Sequence, residues 1–211
     1  MIIKNIKFNE KTMNFNIELD DSKIYKISYD VYEKYNIKKE MDVDDYLCKI
    51  LISEHDFITA KEIVLRSINY RVRSSQEIRN KLYQSKIKSE IIEKTIDYLN
   101  DKGYLDDVKF ADEYINQCIN FKNYSLLKTK QKLYEKGIDK NLVEDTISKH
   151  FTDEVEERNA FLLASKRAKS KDLGNDKEYQ KVYRALVSNG FSYDLSRKVL
   201  NAIKKELSNE E

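Results

Sequence analysis

The sequence predicts a mainly α-helical protein: an elongated tandem array of three three-helix repeats, preceded by a small N-terminal β-meander plus helices. Three observations carry that reading. Across 211 residues there is no proline and there are only four glycines, too little turn punctuation for a many-stranded sandwich or barrel. A two-residue hydrophobic alternation is confined to residues 2–29, after which apolar residues recur every three or four positions, the helical period. Finally, the chain matches itself at fixed displacements of 51 and then 53 residues, the mark of a repeat architecture.

In the N-terminal segment Phe15, Ile17 and Leu19 alternate with polar residues, as do Tyr25, Ile27 and Tyr29. Breaks at Asn9-Glu10 and Asp20-Asp21-Ser22 divide the segment into three short runs, an antiparallel meander. Helical spacing begins at Tyr32 and Tyr35 and returns through Tyr46, Leu47, Ile50 and Leu51. Residues 1–56 are the expected extension, and 57–106, 107–152 and 153–211 the expected repeats. Lys81-Leu82-Tyr83 with Ile87, Ile91, Ile92 and Ile96 matches Lys132-Leu133-Tyr134 with Ile138, Leu142, Val143 and Ile147. Arg184-Ala185-Leu186-Val187 with Phe191, Leu195 and Leu200 is the third copy, and Ala60, Ala111 and Ala164 align by the same displacements.

Each repeat reads as three helices. The first copy has a helix over Phe57–Arg71, a capping box at Ser74-Ser75-Gln76-Glu77 opening a second helix to about Ser85, and a third from Ser89 to about Asn100. Gly103 closes it, being free to take a positive φ. The second copy runs over Asp107–Phe121, Ser125–Lys136 and Asp139–Phe151, and the third over Asp153–Lys171, Asp176–Asn189 and Ser192–Leu207. Gly137 and Gly190 fall on one repeat position where the first copy has Lys86, so the first inter-helix turn is expected to differ. Helices of this length are marginal alone and must bury their apolar stripes against one another.

Composition narrows the function. The glycines are at least 16 positions apart, which excludes a phosphate-cradling loop and a dinucleotide fingerprint. Cys48 and Cys118 have neither metal-knuckle spacing nor the density of a disulfide scaffold. No signal peptide opens the chain and no apolar run approaches the roughly 20 residues of a membrane span, so a cytoplasmic, membrane-free monomer without cofactor or metal is expected. His55 and His150 lack companions for a zinc site or a nucleophilic triad and read as surface or helix-end residues. Asp101, Asp106, Asp107, Asp112 and Glu113 form the tightest acidic cluster. Asp106 and Asp107 lie where a helix must start, so capping explains them better than magnesium-dependent cleavage. No catalytic residue is expected.

The surface carries the remaining signal. Lys+Arg 39 against Asp+Glu 37 gives +2, yet residues 1–56 hold 9 basic and 12 acidic side chains, so the positive surplus lies downstream. Basic clusters recur near the junction of first and second helices: Arg66 to Lys88, Lys122 to Lys136, and Lys166 to Lys171. Constant stacking would turn them into a stripe for phosphates or an acidic protein. Arg71, Arg73, Arg79, Lys81, Lys128, Lys130 and Lys132 are the residues expected to make electrostatic contact with a partner or DNA. Gln117 stands where the first repeat has Arg66, so no contact there is strictly repeated. Tyr83 and Tyr134 are equivalent, as are Tyr70 and Phe121; Val187 replaces the former pair in the third copy, and all four aromatics read as packing residues.

These residues resemble a known family. Arg73-Ser74-Ser75-Gln76-Glu77-Ile78-Arg79-Asn80-Lys81-Leu82, then Ile91 to Leu99, then Gly103-Tyr104-Leu105-Asp106-Asp107 with Phe110-Ala111, are similar to the first motifs of the bacterial RecX recombination regulators. Lys132-Leu133-Tyr134-Glu135-Lys136-Gly137-Ile138 and Leu186-Val187-Ser188-Asn189-Gly190-Phe191 resemble the second- and third-repeat motifs. The resemblance spans about 57–208, and the strand-rich start is similar to the extension of low-GC Gram-positive members. It implies binding to the RecA recombinase filament on single-stranded DNA, and inhibition of ATP hydrolysis, strand exchange and coprotease activity within the SOS response. Direct nucleic-acid binding by a helical-repeat protein is the alternative, since three-helix units resemble helix-turn-helix domains.

Overall fold

The computed structural model describes residues 1–169 and 171–209 and separates into two compact bodies, Met1–Leu105 and the chain from Asp106 onward. The first body opens with the meander: β1 (Ile3–Asn9), β2 (Asn14–Leu19) and β3 (Ile24–Ser28), antiparallel in the order β1-β2-β3. Ile17 lies between Ile6 and Tyr25 in the two ladders. Alternation puts Ile3, Ile17, Leu19 and Ile27 into a core shared with Val31 of α1 (Tyr29–Lys34) and with Cys48 and Leu51 of α2 (Asp45–Ile68). Phe15 stacks on Tyr32 at 3.9 Å.

Helix α2 is longer than its spacing predicts. Asp44 caps it, its side chain accepting from the Leu47 N–H at 2.7 Å, and 24 helical residues follow without a break at Asp56-Phe57. No glycine or proline interrupts the stretch, and both halves are paid in burial: Cys48 and Leu51 pack on the sheet, Ala60 and Val64 on α3 (Ser75–Gln84) and α4 (Ser89–Asp101). His55 sits between the two cores. It is buried rather than at the surface, with Nδ1 unbonded among the described residues.

The second body contains α5 (Asp107–Gln117), a π-helical turn (Cys118–Lys122), α6 (Leu126–Glu135) and α7 (Lys140–His150), then α8 (Asp153–Ala168), α9 (Asp176–Ser188) and α10 (Tyr193–Asn209). Helix α5 gives way to the π turn instead of continuing to Phe121, and α8 stops at Ala168 rather than Lys171, where the Lys171 N–H closes a turn onto the Ala168 carbonyl at 2.8 Å. Core positions follow the repeat. Ala60, Ala111 and Ala164 are fully buried, as are Leu82, Leu133 and Leu186. The small alanine lets neighbouring helices approach, and the leucine fills the centre of each unit. Caps repeat as well: Ser74 accepts from Glu77 N–H at 3.1 Å and Ser125 from Lys128 N–H at 3.0 Å. Thr95 and Thr146 each donate to the carbonyl four residues back at 2.7 Å, satisfying a buried hydroxyl within its own helix.

The turn between second and third helices is the same in all three repeats. Lys86, Gly137 and Gly190 have φ of 61°, 73° and 86°. After each, an N–H reaches back to the buried leucine: Ile87 to Leu82 at 3.2 Å, Ile138 to Leu133 at 3.1 Å, Phe191 to Leu186 at 3.3 Å. The first turn therefore does not differ, contrary to expectation; Lys86 adopts the left-handed conformation that the other two repeats assign to glycine. Gly190 has a second reason to be glycine. Within the second body Ser125 donates to the Asn189 carbonyl at 2.6 Å, and an added Cβ on Gly190 would lie 2.5 Å from the same Oγ. Two further bonds join the second and third repeats there. Glu156 accepts from Leu126 N–H at 2.8 Å, and Asn159 donates to the Tyr124 carbonyl at 3.0 Å.

Two outcomes follow for stability. Gly190→Ala combines a strained φ with a backbone-adjacent clash and should cost about 2 kcal/mol or more, whereas Lys86→Gly should stabilise by up to about 1 kcal/mol. Urea unfolding of the full chain measures both, and a neutral Gly190→Ala would show that the joint is slack. Burial lowers the His55 pKa below its ordinary 6.5, so the unfolded chain takes up a proton first and stability present above about pH 6.5 declines as the pH falls through that value. His55→Leu should flatten this dependence below about pH 6.5; an unchanged profile would assign the slope to other groups.

Candidate partner-binding surface

The seven cations singled out by sequence fall into two groups. Four are engaged within their own repeats. Arg71 is held by Glu77, with Nη1 and Nη2 donating to the carboxylate at 3.0 and 2.8 Å and Nη1 also donating to the Val72 carbonyl at 2.8 Å. Arg79 of α3 forks onto Glu93 of α4, with Nε at 3.0 Å and Nη2 at 3.0 Å. Lys130 of α6 meets Glu144 of α7, and Lys132 meets Glu135. The Lys130 ammonium, chiefly, keeps the Glu144 carboxyl below the usual carboxylate range, helped by the Tyr134 hydroxyl, which donates at 3.1 Å.

The Arg79–Glu93 and Lys130–Glu144 pairs are one feature made twice. Both partners shift by 51 residues, so the second and third helices are clasped across the same 14-residue separation. At the corresponding third-repeat positions stand Tyr183 and Arg197, and the clasp is absent. Exposed pairs of this kind contribute only about 0.2–1 kcal/mol each. Their larger effect is on availability: a guanidinium already bound in two places is a poor phosphate ligand.

Lys81 and Lys128 belong to the second group. Neither forms an ion pair among the described residues; Lys81 is exposed and Lys128 half-buried. Arg73 is also half-buried, and its Nε lacks a hydrogen-bond partner among the described residues.

The third repeat supplies cations that sequence reasoning underweighted. Between Arg158 and Lys205 there are 12 basic and 4 acidic side chains. On α9, Lys177, Lys181 and Arg184 follow i, i+4, i+7 spacing, all exposed and without an ion pair among the described residues. That spacing places them on one face. The legible signal was a helical run of basic residues with no acid on the same face.

The aromatic assignments change. Tyr70 and Phe121 are exposed, not core, and Tyr83 is exposed as well. Tyr134 is exposed too, not core, its hydroxyl donating to Glu144 at 3.1 Å. Among the acids, Asp106 caps α5, accepting from Lys109 N–H at 2.9 Å, and Asp112 binds the His150 Nε2 at 2.6 Å from the end of α7. No three His, Cys, Asp or Glu side chains among the described residues are arranged to hold a metal. No described helix is long and apolar enough to cross a membrane.

Threefold left-handed turns and buried leucines, with the serine cap shared by the first two repeats, define a class: a tandem three-helix-repeat protein with a small N-terminal sheet. Family models described as the first, second and third three-helix domains of RecX match residues 60–99, 106–147 and 154–200. The chain belongs to the RecX family of regulatory proteins. It is 36% identical to "Regulatory protein RecX" of Finegoldia magna over 94% of this chain and 98% of that one. It is 30% identical to the protein of the same name from Clostridioides difficile, over 89% and 88%. Among solved structures, one described as regulatory protein RecX shares the fold with a TM-score of 0.65 at 24% identity, covering 95% of this chain and 98% of that chain. RecX from Lactobacillus salivarius matches with 0.57 at 25% identity, over 70% and 96%. A regulatory role of the RecX kind follows from this membership.

Proposed function

We propose that this protein binds the RecA recombinase filament on single-stranded DNA and inhibits its ATPase, strand-exchange and coprotease activities, acting as a cytoplasmic monomer without catalysis or cofactor. The observation that carries the reading is the complete set of three RecX repeats, each in order and each with its turn intact. Tandem units add many weak contacts along a partner that itself repeats, so modest contacts sum to firm binding. The cations Arg71, Arg73, Arg79, Lys81, Lys128, Lys130 and Lys132 are the proposed electrostatic contacts, with the unclasped Lys81 and Lys128 contributing more than the clasped Arg79 and Lys130.

Titration onto recombinase filaments should suppress ATP hydrolysis below one protein per recombinase subunit, and full hydrolysis at every ratio rejects the reading. In the same assay Lys81→Glu with Lys128→Glu should weaken inhibition more than the charge-swapped pair Arg79→Glu with Glu93→Arg, which restores the clasp. Equal losses would give the clasped cations an equal share.

Direct nucleic-acid contact is supported by one observation of its own, the unpaired Lys177, Lys181 and Arg184 on α9. Each phosphate neutralised on a single strand contributes about 0.7 to the slope of log affinity against log salt. Replacing the three by alanine should therefore lower the slope for bare single-stranded DNA by about 2, and an unaltered slope would remove α9 from the contact.

A further inference from the structure

Among the described residues, the two most exposed large hydrophobic side chains occupy the same repeat position. Tyr70 is 85% exposed and Phe121 81%, and they stand 51 residues apart, the repeat displacement. Each follows the end of a repeat's first helix, and each precedes a cation, Arg71 and Lys122.

Unlike backbones deliver the two rings. Helix α2 ends at Ile68, and Asn69 keeps a right-handed conformation. Helix α5 instead enters the π turn, which buries Cys118 and Ile119 and leaves Phe121 outside, before Asn123 reverses the chain at φ 51°. Such turns are rare and gather at functional sites. When two different local geometries expose an aromatic ring at one equivalent place, internal packing is not what the ring is for.

The neighbouring charges say what it fits. A base-stacking platform combines rings with cations open to the nucleic-acid backbone. Here Arg71 is bound by Glu77 at 2.8 and 3.0 Å. The Lys122 ammonium rests over Tyr114 at 4.7 Å and Tyr124 at 5.6 Å from the ring centroids. With Arg71 bound to a carboxylate and the exposed Lys122 ammonium drawn back over two rings, the outward feature at each place is the aromatic ring with polar groups beside it, the make-up of the energetic centre of a protein–protein interface. Two equivalent anchors on tandem units suit a partner that presents one apolar pocket repeatedly.

We propose that Tyr70 and Phe121 are equivalent docking anchors, each seating its ring in an apolar pocket on a subunit of one repeating protein filament. The proposal rests on the filament-binding reading above and names the contact that reading lacks.

The test compares Tyr70→Ala, Phe121→Ala, the double variant and Tyr70→Phe on two probes. One is recombinase filament assembled on single-stranded DNA with a slowly hydrolysed ATP analogue; the other is the bare strand. Each alanine variant should lose roughly tenfold or more in filament affinity and the double variant more than either. Tyr70→Phe should retain binding, and helical content and bare-strand affinity should stay at the parent level. A double variant that binds filaments like the parent overturns the anchors while leaving filament binding intact. Equal loss on the bare strand overturns them in favour of base stacking. A parent protein that does not bind filaments removes the reading beneath the proposal and the proposal with it.

Discussion

Every repeat depends on one chain reversal. After the second helix the backbone must turn back so that a third can cover the same leucine, and the reversal is made in a single left-handed residue. Lys86, Gly137 and Gly190 occupy it with φ of 61°, 73° and 86°. In each case the next N–H is bonded to the carbonyl of Leu82, Leu133 or Leu186. The buried side chain and the bonded carbonyl belong to the same residue, so packing and turn geometry cannot be adjusted independently. A left-handed conformation costs a residue with a Cβ about 1–2 kcal/mol. That Lys86 bears it indicates how strongly the leucine core fixes the turn.

The constraint propagates to the surface. With the second and third helices set by the turn, residues 14 apart face one another, and the first two repeats fill those positions with a cation and a carboxylate: Arg79 with Glu93 and Lys130 with Glu144. The third repeat keeps the turn and abandons the clasp, placing Tyr183 and Arg197 there. There Lys198 pairs instead with Glu157 of α8 at 2.8 Å, while Lys177, Lys181 and Arg184 of α9 have no ion pair among the described residues. One backbone scheme thus yields two kinds of seam between second and third helices, clasped in the first two repeats and without that clasp in the third.

Much of this was legible because its causes are local. Strand alternation, serine caps at Ser74 and Ser125, and the glycine at two of three turns all act within a few residues. The unity of α2 was hidden because its two halves serve different cores, so its apolar stripe changes partners near His55 and looks like two shorter helices. The exposure of Tyr70 and Phe121 was hidden for a different reason: hydrophobicity says what a side chain prefers, whereas the path of the backbone past Asn69 or through the π turn decides what it receives. The ion pairs were obscured because a basic run displays its charge in sequence and conceals partners 6 or 14 residues away.

The charge of a cluster therefore differs from its availability. Counting cations put the first two repeats forward, yet Arg71, Arg79, Lys130 and Lys132 each have a carboxylate at hand. A partner must displace that carboxylate, or accept it as part of the surface, before it gains from the cation. An exposed aromatic ring carries no such debt to its neighbours, and desolvating it is favourable at about 25 cal/mol per Å². On the proposed filament contact, the first two repeats would for that reason engage chiefly through apolar surface, with the held charges setting orientation. The cations of α9 have no such carboxylate among the described residues, so a phosphate would meet them without displacing one.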